Sequence, residues 1–212
     1  MTDDKLRQSF EAKCQTYQKW FIQLESWRLA KPLILAWITD RTDNDADKLI
    51  VDKNNQVVAA YDHRQLIRFF KDNKSILPDS LNTISWTNDI ERFEKAYPTI
   101  YNIIAIESSL KSNGFSKASV YESINFINLF NDLADQLDDP QLRSLSDKQE
   151  VRNLWDFGYN EIFWKEFGEQ EELASVSIPQ FQTDYNVLSS ALSQMIDAFI
   201  ERLVILDDQE KN

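Results

Sequence analysis

Leu49-Ile-Val-Asp-Lys-Asn-Asn-Gln-Val-Val-Ala-Ala-Tyr-Asp-His-Arg-Gln-Leu-Ile-Arg-Phe-Phe70 changes its periodicity halfway, and that change decides the fold class. Lys48–Asp52 and Gln56–Tyr61 are short, β-branched or apolar runs. Between them stands Lys53-Asn54-Asn55, a good hairpin turn because asparagine tolerates left-handed backbone geometry. Asp62 then caps a helix whose apolar positions include Leu66, Ile67, Phe69 and Phe70. Upstream, Leu33-Ile-Leu-Ala-Trp-Ile-Thr39 is a short apolar run that fits a buried strand. A small antiparallel sheet of three strands, followed by a helix, is therefore predicted in the N-terminal third.

The flanks are helical by their spacing. Leu6, Phe10, Cys14, Tyr17, Phe21, Leu24 and Trp27 recur every three or four residues, which predicts one amphipathic helix capped near Asp3 and Asp4 and ended by Pro32. A helix is predicted from about Asn88 to Tyr97, stopped by Pro98. Thr99–Leu110 fits either a buried strand or a helix, with Gly114 as its breaker. Ser119 opens a strong helix with Val120, Ile124, Ile127, Phe130, Ala134 and Leu137 inward. Asn128, Asp132, Asp135 and Asp139 are predicted on its opposite face. Pro140 punctuates. Helices follow from Asp147 to about Asp156, around Glu161–Phe167 up to Gly168, and from Asp184 to about Leu206. The expected fold is α+β and predominantly α-helical, with helices packed around a core and a small antiparallel sheet. Linker candidates at 75–86 and 172–183 are short. One composite domain over residues 1–212 is expected, with a mixed part at about 1–74 and an acidic helical part at about 87–206.

Composition narrows the class further. Three glycines among 212 residues leave few positions for positive φ free of steric cost, which disfavours sandwiches, barrels and Rossmann units. Hydrophobic residues make up 42% of the chain and aromatics 12%, enough for a sizeable core despite a net charge of −12. A single cysteine, Cys14, excludes an intramolecular disulfide and fits a reducing compartment. Met1-Thr-Asp-Asp-Lys5 has no basic segment leading into an apolar run, and no stretch of roughly 18 apolar residues occurs. A cytoplasmic protein is expected, with no membrane partner.

Charge is distributed unevenly. Residues 1–74 carry 13 Lys and Arg against 11 Asp and Glu, a net of +2, whereas residues 75–212 carry 10 against 24, a net of −14. Ser119–Asp184 alone holds 4 basic and 14 acidic residues, a net of −10. Such a stretch repels nucleic acid and lipid headgroups and attracts a basic partner. Arg64, Arg68, Lys71 and Lys74 lie along one helix, but Asp72 interrupts them and an ordinary exposed face is expected.

Chemical motifs are sparse. Asp43, Asp45 and Asp47 resemble the first half of a calcium loop, but Lys48 and Asn54 stand where that loop needs glycine and glutamate, so a solvated hairpin loop is expected and no metal site. Cys14 falls on an apolar stripe, where thiols are usually inert, and His63 is expected at the surface beside Asp62. No common nucleotide, zinc-protease or hydrolase signature occurs. The expectation is no catalytic residue, no cofactor and no enzymatic activity. The densest aromatic cluster, Trp155-Asp-Phe-Gly-Tyr-Asn-Glu-Ile-Phe-Trp164, fits either core between two short helices or rings that reach the surface. In the second case Tyr159 and Trp164 would anchor a docking patch rimmed by Asp132, Asp135, Asp139, Asp156, Glu161, Glu169, Glu171 and Glu172.

Leu49–Phe70, a hairpin running into a helix, and Ile124–Leu137 resemble the immunity proteins of bacterial toxin–immunity systems, including those of contact-dependent growth inhibition. Together these segments cover about 36 of 212 residues. What they share is a general character, acidic, rich in Trp, Phe and Asn, poor in Gly and without catalytic hardware. No diagnostic motif is shared, so no residue role is carried over. The resemblance implies a protein that binds a cognate toxin, often a nuclease, and blocks its active site or substrate groove. The residues agree, since a basic nuclease would meet an acidic surface. An adaptor that binds another protein, and a small carboxylate enzyme, are the alternatives. The oligomeric state is open.

Overall fold

A computed structural model of the chain describes residues 2–165 and 179–206. The fold is α+β and dominated by helices, with its sheet in the N-terminal half. Its internal contacts divide into two compact units: Met1–Ile100 with Arg202–Asn212, and Tyr101–Glu201.

In the first unit, α1 (Asp3–Tyr17) leads into β1 (Lys19–Glu25), β2 (Leu33–Asp40), β3 (Ala46–Leu49) and β4 (Val57–Ala59). The helix predicted to reach Trp27 ends ten residues earlier. Gln18 adopts left-handed geometry and its amide bonds the carbonyls of the last turn, after which the chain extends. Phe21, Ile22 and Leu24 are buried from a strand. Aromatic and β-branched residues favour a pleated surface, and here that preference outweighs an apparent helical spacing.

The sheet runs β3-β2-β1-β5, where β5 is Thr99–Asn102. β1 and β2 pair antiparallel with Phe21 opposite Ala36, and β2 and β3 likewise with Trp37 opposite Leu49. Only a single antiparallel bridge, Val51 to Val57, joins the two arms of the predicted hairpin. β4 instead pairs in parallel with β6 (Leu203–Ile205). The turn itself forms as expected: Asn55 is left-handed, and the Asp52 carboxylate accepts from the amides of Asn54 and Gln56.

α2 (His63–Asp72) begins with a full capping box: Asp62 accepts from backbone amides and Gln65 reaches back. Beyond a short 3₁₀ turn at Lys74–Ile76 comes α3 (Ser80–Ile90). It occupies much of the predicted linker, and the helix predicted at Asn88–Tyr97 is absent past Ile90. Thr83, Trp86, Thr87 and Ile90 form the buried stripe of α3. Threonine is a poor helix former, which hides that stripe in the sequence. Trp86 is the centre of this core, with Phe21 at 5.0 Å and Phe70 at 6.3 Å between ring centroids.

The second unit begins with α4 (Ile103–Lys111), started by the Asn102 side chain, which accepts from the Ala105 amide. Thr99–Leu110 is therefore strand and then helix. α5 (Lys117–Gln136) is capped by Ser116 and buries Val120, Ile124, Phe126, Phe130 and Leu133. α6 (Pro140–Ser146) starts on Pro140, with Asp139 as its cap. α7 (Gln149–Gly158) continues without a break into a wider π turn, Tyr159–Phe163, so the predicted gap before Glu161 is absent. The predicted stop at Gly168 lies outside the described residues. α8 (Tyr185–Glu201) ends five residues before the predicted limit, and Leu203 belongs to β6.

Lys19 and His63 are ionisable side chains buried in the first unit. The Lys19 side chain is fully enclosed and its ammonium lies 3.2 Å from the Asp79 carboxylate. Burial pulls the Lys19 ammonium pKa down, and Asp79 opposes that shift. His63, expected at the surface, is only 5% exposed. Its ring approaches the Phe93 carbonyl at 3.4 Å and the Asp62 carboxylate at 3.1 Å. Burial still lowers its pKa.

Both groups can be tested by unfolding. Asp79→Asn strips the enclosed ammonium of its counter-charge and should cost about 3–5 kcal/mol in urea unfolding. A loss below about 1 kcal/mol would show that the pair is not buried in solution. His63 makes stability depend on pH. The folded state binds His63's proton less readily than the unfolded chain, so stability is full above about pH 6.5 and falls as pH drops through the lowered folded value. In chemical denaturation His63→Gln should flatten this slope, and an unchanged slope would exclude His63 as its origin.

Candidate functional site

The second unit carries the acidic excess. Tyr101–Glu201 holds 6 Lys and Arg against 17 Asp and Glu, a net of −11, while the rest of the chain holds 17 against 18, a net of −1. Most of its few cations are engaged with their own neighbours. Arg143 bridges Asp135 at 3.1 Å and Asp138 at 2.7 Å. Arg152 pairs with Asp147, Lys165 with Glu161, and Lys148 bonds Gln194 at 2.8 Å. Exposed pairs of this kind contribute little stability, about 0–1 kcal/mol each. They also leave the net field of the unit unchanged.

Gly158 sets the geometry of the aromatic segment. It is buried in right-handed helical geometry, and a Cβ there would run into the Ile124 side chain and meet Val120 Cγ1 at 3.0 Å. α7 thus lies hard against α5. At that spacing Asn128 of α5 bonds two rings: Trp155 Nε1–H donates to Asn128 Oδ1 at 2.8 Å, and Asn128 Nδ2 donates to the Tyr159 hydroxyl at 3.0 Å. Asn128 is half-buried against α7 and does not join a solvated face. The Trp155 and Tyr159 rings pack at 4.3 Å with a 41° tilt, and Tyr159 continues to Phe163 at 5.2 Å and Trp164 at 6.2 Å. The cluster is therefore both core and surface: Ile162 is buried, whereas Trp164 is 58% exposed.

The predicted carboxylates fall into different settings. Asp156 is exposed on α7 and lines a groove with Trp155 and Asn131. Asp132 and Asp135 follow one another along the last turns of α5, and Asp135 is drawn toward Arg143. Asp139 leaves that face: its carboxylate caps α6 by accepting from the amides of Gln141 and Leu142. Glu161 is half-buried in the π turn. Glu169, Glu171 and Glu172 lie outside the described residues. Unpredicted contributors are Asn128, Gly158, Asp138, Asp147 and Arg152. Asp138 and Asp147 stood in the acidic count, but nothing in the sequence marks Asn128 as the residue that fixes two rings.

In the first unit a groove of about 670 Å³ is lined by Arg7, Glu11, Cys14, Trp20 and Tyr97, among others. Burial pushes the Cys14 thiol up to about 12, which favours its protonated form at neutral pH. Asp40 and Asp43 converge on the Lys48 ammonium at 2.8 and 2.6 Å. Among the described residues, no group of three His, Cys, Asp or Glu side chains is placed to hold a metal ion. Among the same residues, no helix is long and apolar enough to cross a membrane.

No protein-family model matches the chain, and no curated protein sequence does. Among solved structures it is similar to the SatS C-terminal domain, crystallised in complex with bromine. The TM-score is 0.58 at 12% identity, over 91% of this chain and 96% of that one. At that identity the likeness concerns the fold alone: a helix-dominated α+β architecture.

The close approach of α5 and α7 makes a direct prediction. Gly158→Ala forces Ile124 aside and should destabilise the protein by about 1–3 kcal/mol. It should also loosen the Trp155–Asn128 bond, visible as faster hydrogen exchange of the Trp155 indole N–H. A variant as stable as the parent, with that proton still protected, would contradict the tight contact.

Proposed function

We propose that this chain is a stoichiometric inhibitor of the immunity-protein kind, which binds a basic toxin, nuclease-type by its charge, through the acidic unit. The observation that carries this reading is the charge division: a net of −11 confined to Tyr101–Glu201, beside a nearly neutral remainder. Exposed aromatic area at Trp164, held by Tyr159 and Phe163, supplies an anchor, and the carboxylates of Asp132, Asp135 and Asp156 supply the charged rim. A nuclease toxin binds phosphates through a basic groove, and an acidic protein seated there keeps nucleic acid out. Complementary charge speeds encounter and makes it sensitive to salt. Such an inhibitor acts in the cytoplasm, needs no cofactor and performs no chemistry of its own.

The test is capture from the protein's own host at low salt, followed by kinetics. The expected partner is a single basic protein, released by moderate salt, toxic when expressed alone and harmless beside this chain. Asp132→Lys, Asp135→Lys and Asp156→Lys together should slow its association by about tenfold or more while the circular dichroism is unchanged. An unaltered association rate would remove the acidic face from the account. A neutral or acidic partner that is harmless alone would replace inhibition with an adaptor role.

A further inference from the structure

Where α7 crosses α5, a groove of about 300 Å³ opens within the acidic unit. Its apolar lining comes from Ile127 and Val151, Trp155 forms a wall, and Asp147 and Asp156 stand at its rim. The volume lies at the lower limit for a small-molecule site and suits one long side chain. The two carboxylates differ. Asp147 already accepts a guanidinium N–H from Arg152, a residue of the same groove. Asp156 is exposed and, among the described residues, makes no ion pair. Trp155 is held in place through Asn128, so its ring needs no reordering on binding.

We infer that this groove receives an arginine side chain of the basic partner, an inference that rests on the docking reading above. The aliphatic stem would run along the half-buried Trp155 wall, as long basic side chains do on apolar surface, with Ile127 and Val151 almost fully enclosed at the groove floor. The guanidinium would meet the Trp155 ring and donate to the Asp156 carboxylate. Arginine suits this combination better than lysine, because its planar, weakly hydrated head stacks on aromatic rings and donates in a fork. The Arg152–Asp147 pair shows the chain's own guanidinium on a carboxylate of the same rim, and it leaves Asp156 for the incoming one.

The test uses the full chain and capped tetra-arginine, with tetra-lysine and tetra-glutamate as controls, at low salt. The readouts are calorimetry and the Trp155 indole N–H resonance, assigned by its loss in Trp155→Phe. The expected result is a saturable shift of that resonance by tetra-arginine, with affinity about fivefold or more above tetra-lysine. Asp156→Asn should weaken tetra-arginine by about fivefold, and Asp135→Asn should weaken it less. Equal binding of both basic peptides, equal effects of the two variants, or an unmoved Trp155 resonance would overturn the assignment. If the captured partner then still bound in a salt-dependent way, only the groove would be lost and the docking reading would stand. If no basic partner were captured and neither basic peptide bound, both would fall.

Discussion

At Gly158 the backbone of α7 lies directly on the Ile124 and Val120 side chains of α5, with no room for a Cβ. That contact governs the surface of the helical unit. It brings Asn128 within reach of the Trp155 indole and the Tyr159 hydroxyl, and so adds two hydrogen bonds to rings already packed against Val120, Ile124 and Ile162. The helix then widens into a π turn, a feature that often accompanies functional sites because it re-aims side chains. Ile162 goes inward and Trp164 outward from the same turn. A rigid aromatic surface loses little entropy on binding, which is what an anchor requires.

Charge works on a different scale. In the first unit acids and bases nearly balance, and several pairs are structural: Lys19 with Asp79, and Lys48 with Asp40 and Asp43. In the second unit Arg143, Arg152 and Lys165 are taken up by local carboxylates, and the surplus of acid remains. Self-repulsion of this kind costs stability. The pairing of a negative field with a fixed ring cluster in one unit is the physical basis for proposing a basic protein partner.

Much of this was legible in the chain. Asp62 announced α2, Lys53-Asn54-Asn55 the turn, and the apolar stripe from Val120 to Ala134 the long helix α5, whereas α6 was not read: Pro140 counts as punctuation in the sequence and opens a helix in the structure. The α+β class followed from the change of period at Tyr61-Asp62. Elsewhere local spacing misled. Phe21, Leu24 and Trp27 lie at helical intervals from Tyr17, yet Lys19–Glu25 is a strand because it pairs with β2, a contact no local pattern records. Leu203 continues the stripe of α8 but pairs with β4, far away in sequence. The threonines of α3 conceal its buried face. At the site, Asp156, Tyr159 and Trp164 were visible as acid beside aromatics. Asn128 and Gly158 were not, because their importance lies in how closely two helices meet.

The most direct measurement is the association rate of the captured partner as a function of ionic strength, taken for the full chain by stopped flow. If the acidic unit is the docking face, the rate falls steeply between low and physiological salt while dissociation changes little. An association rate that does not depend on salt would contradict the account, because the charge division of the chain would then play no part in recognition.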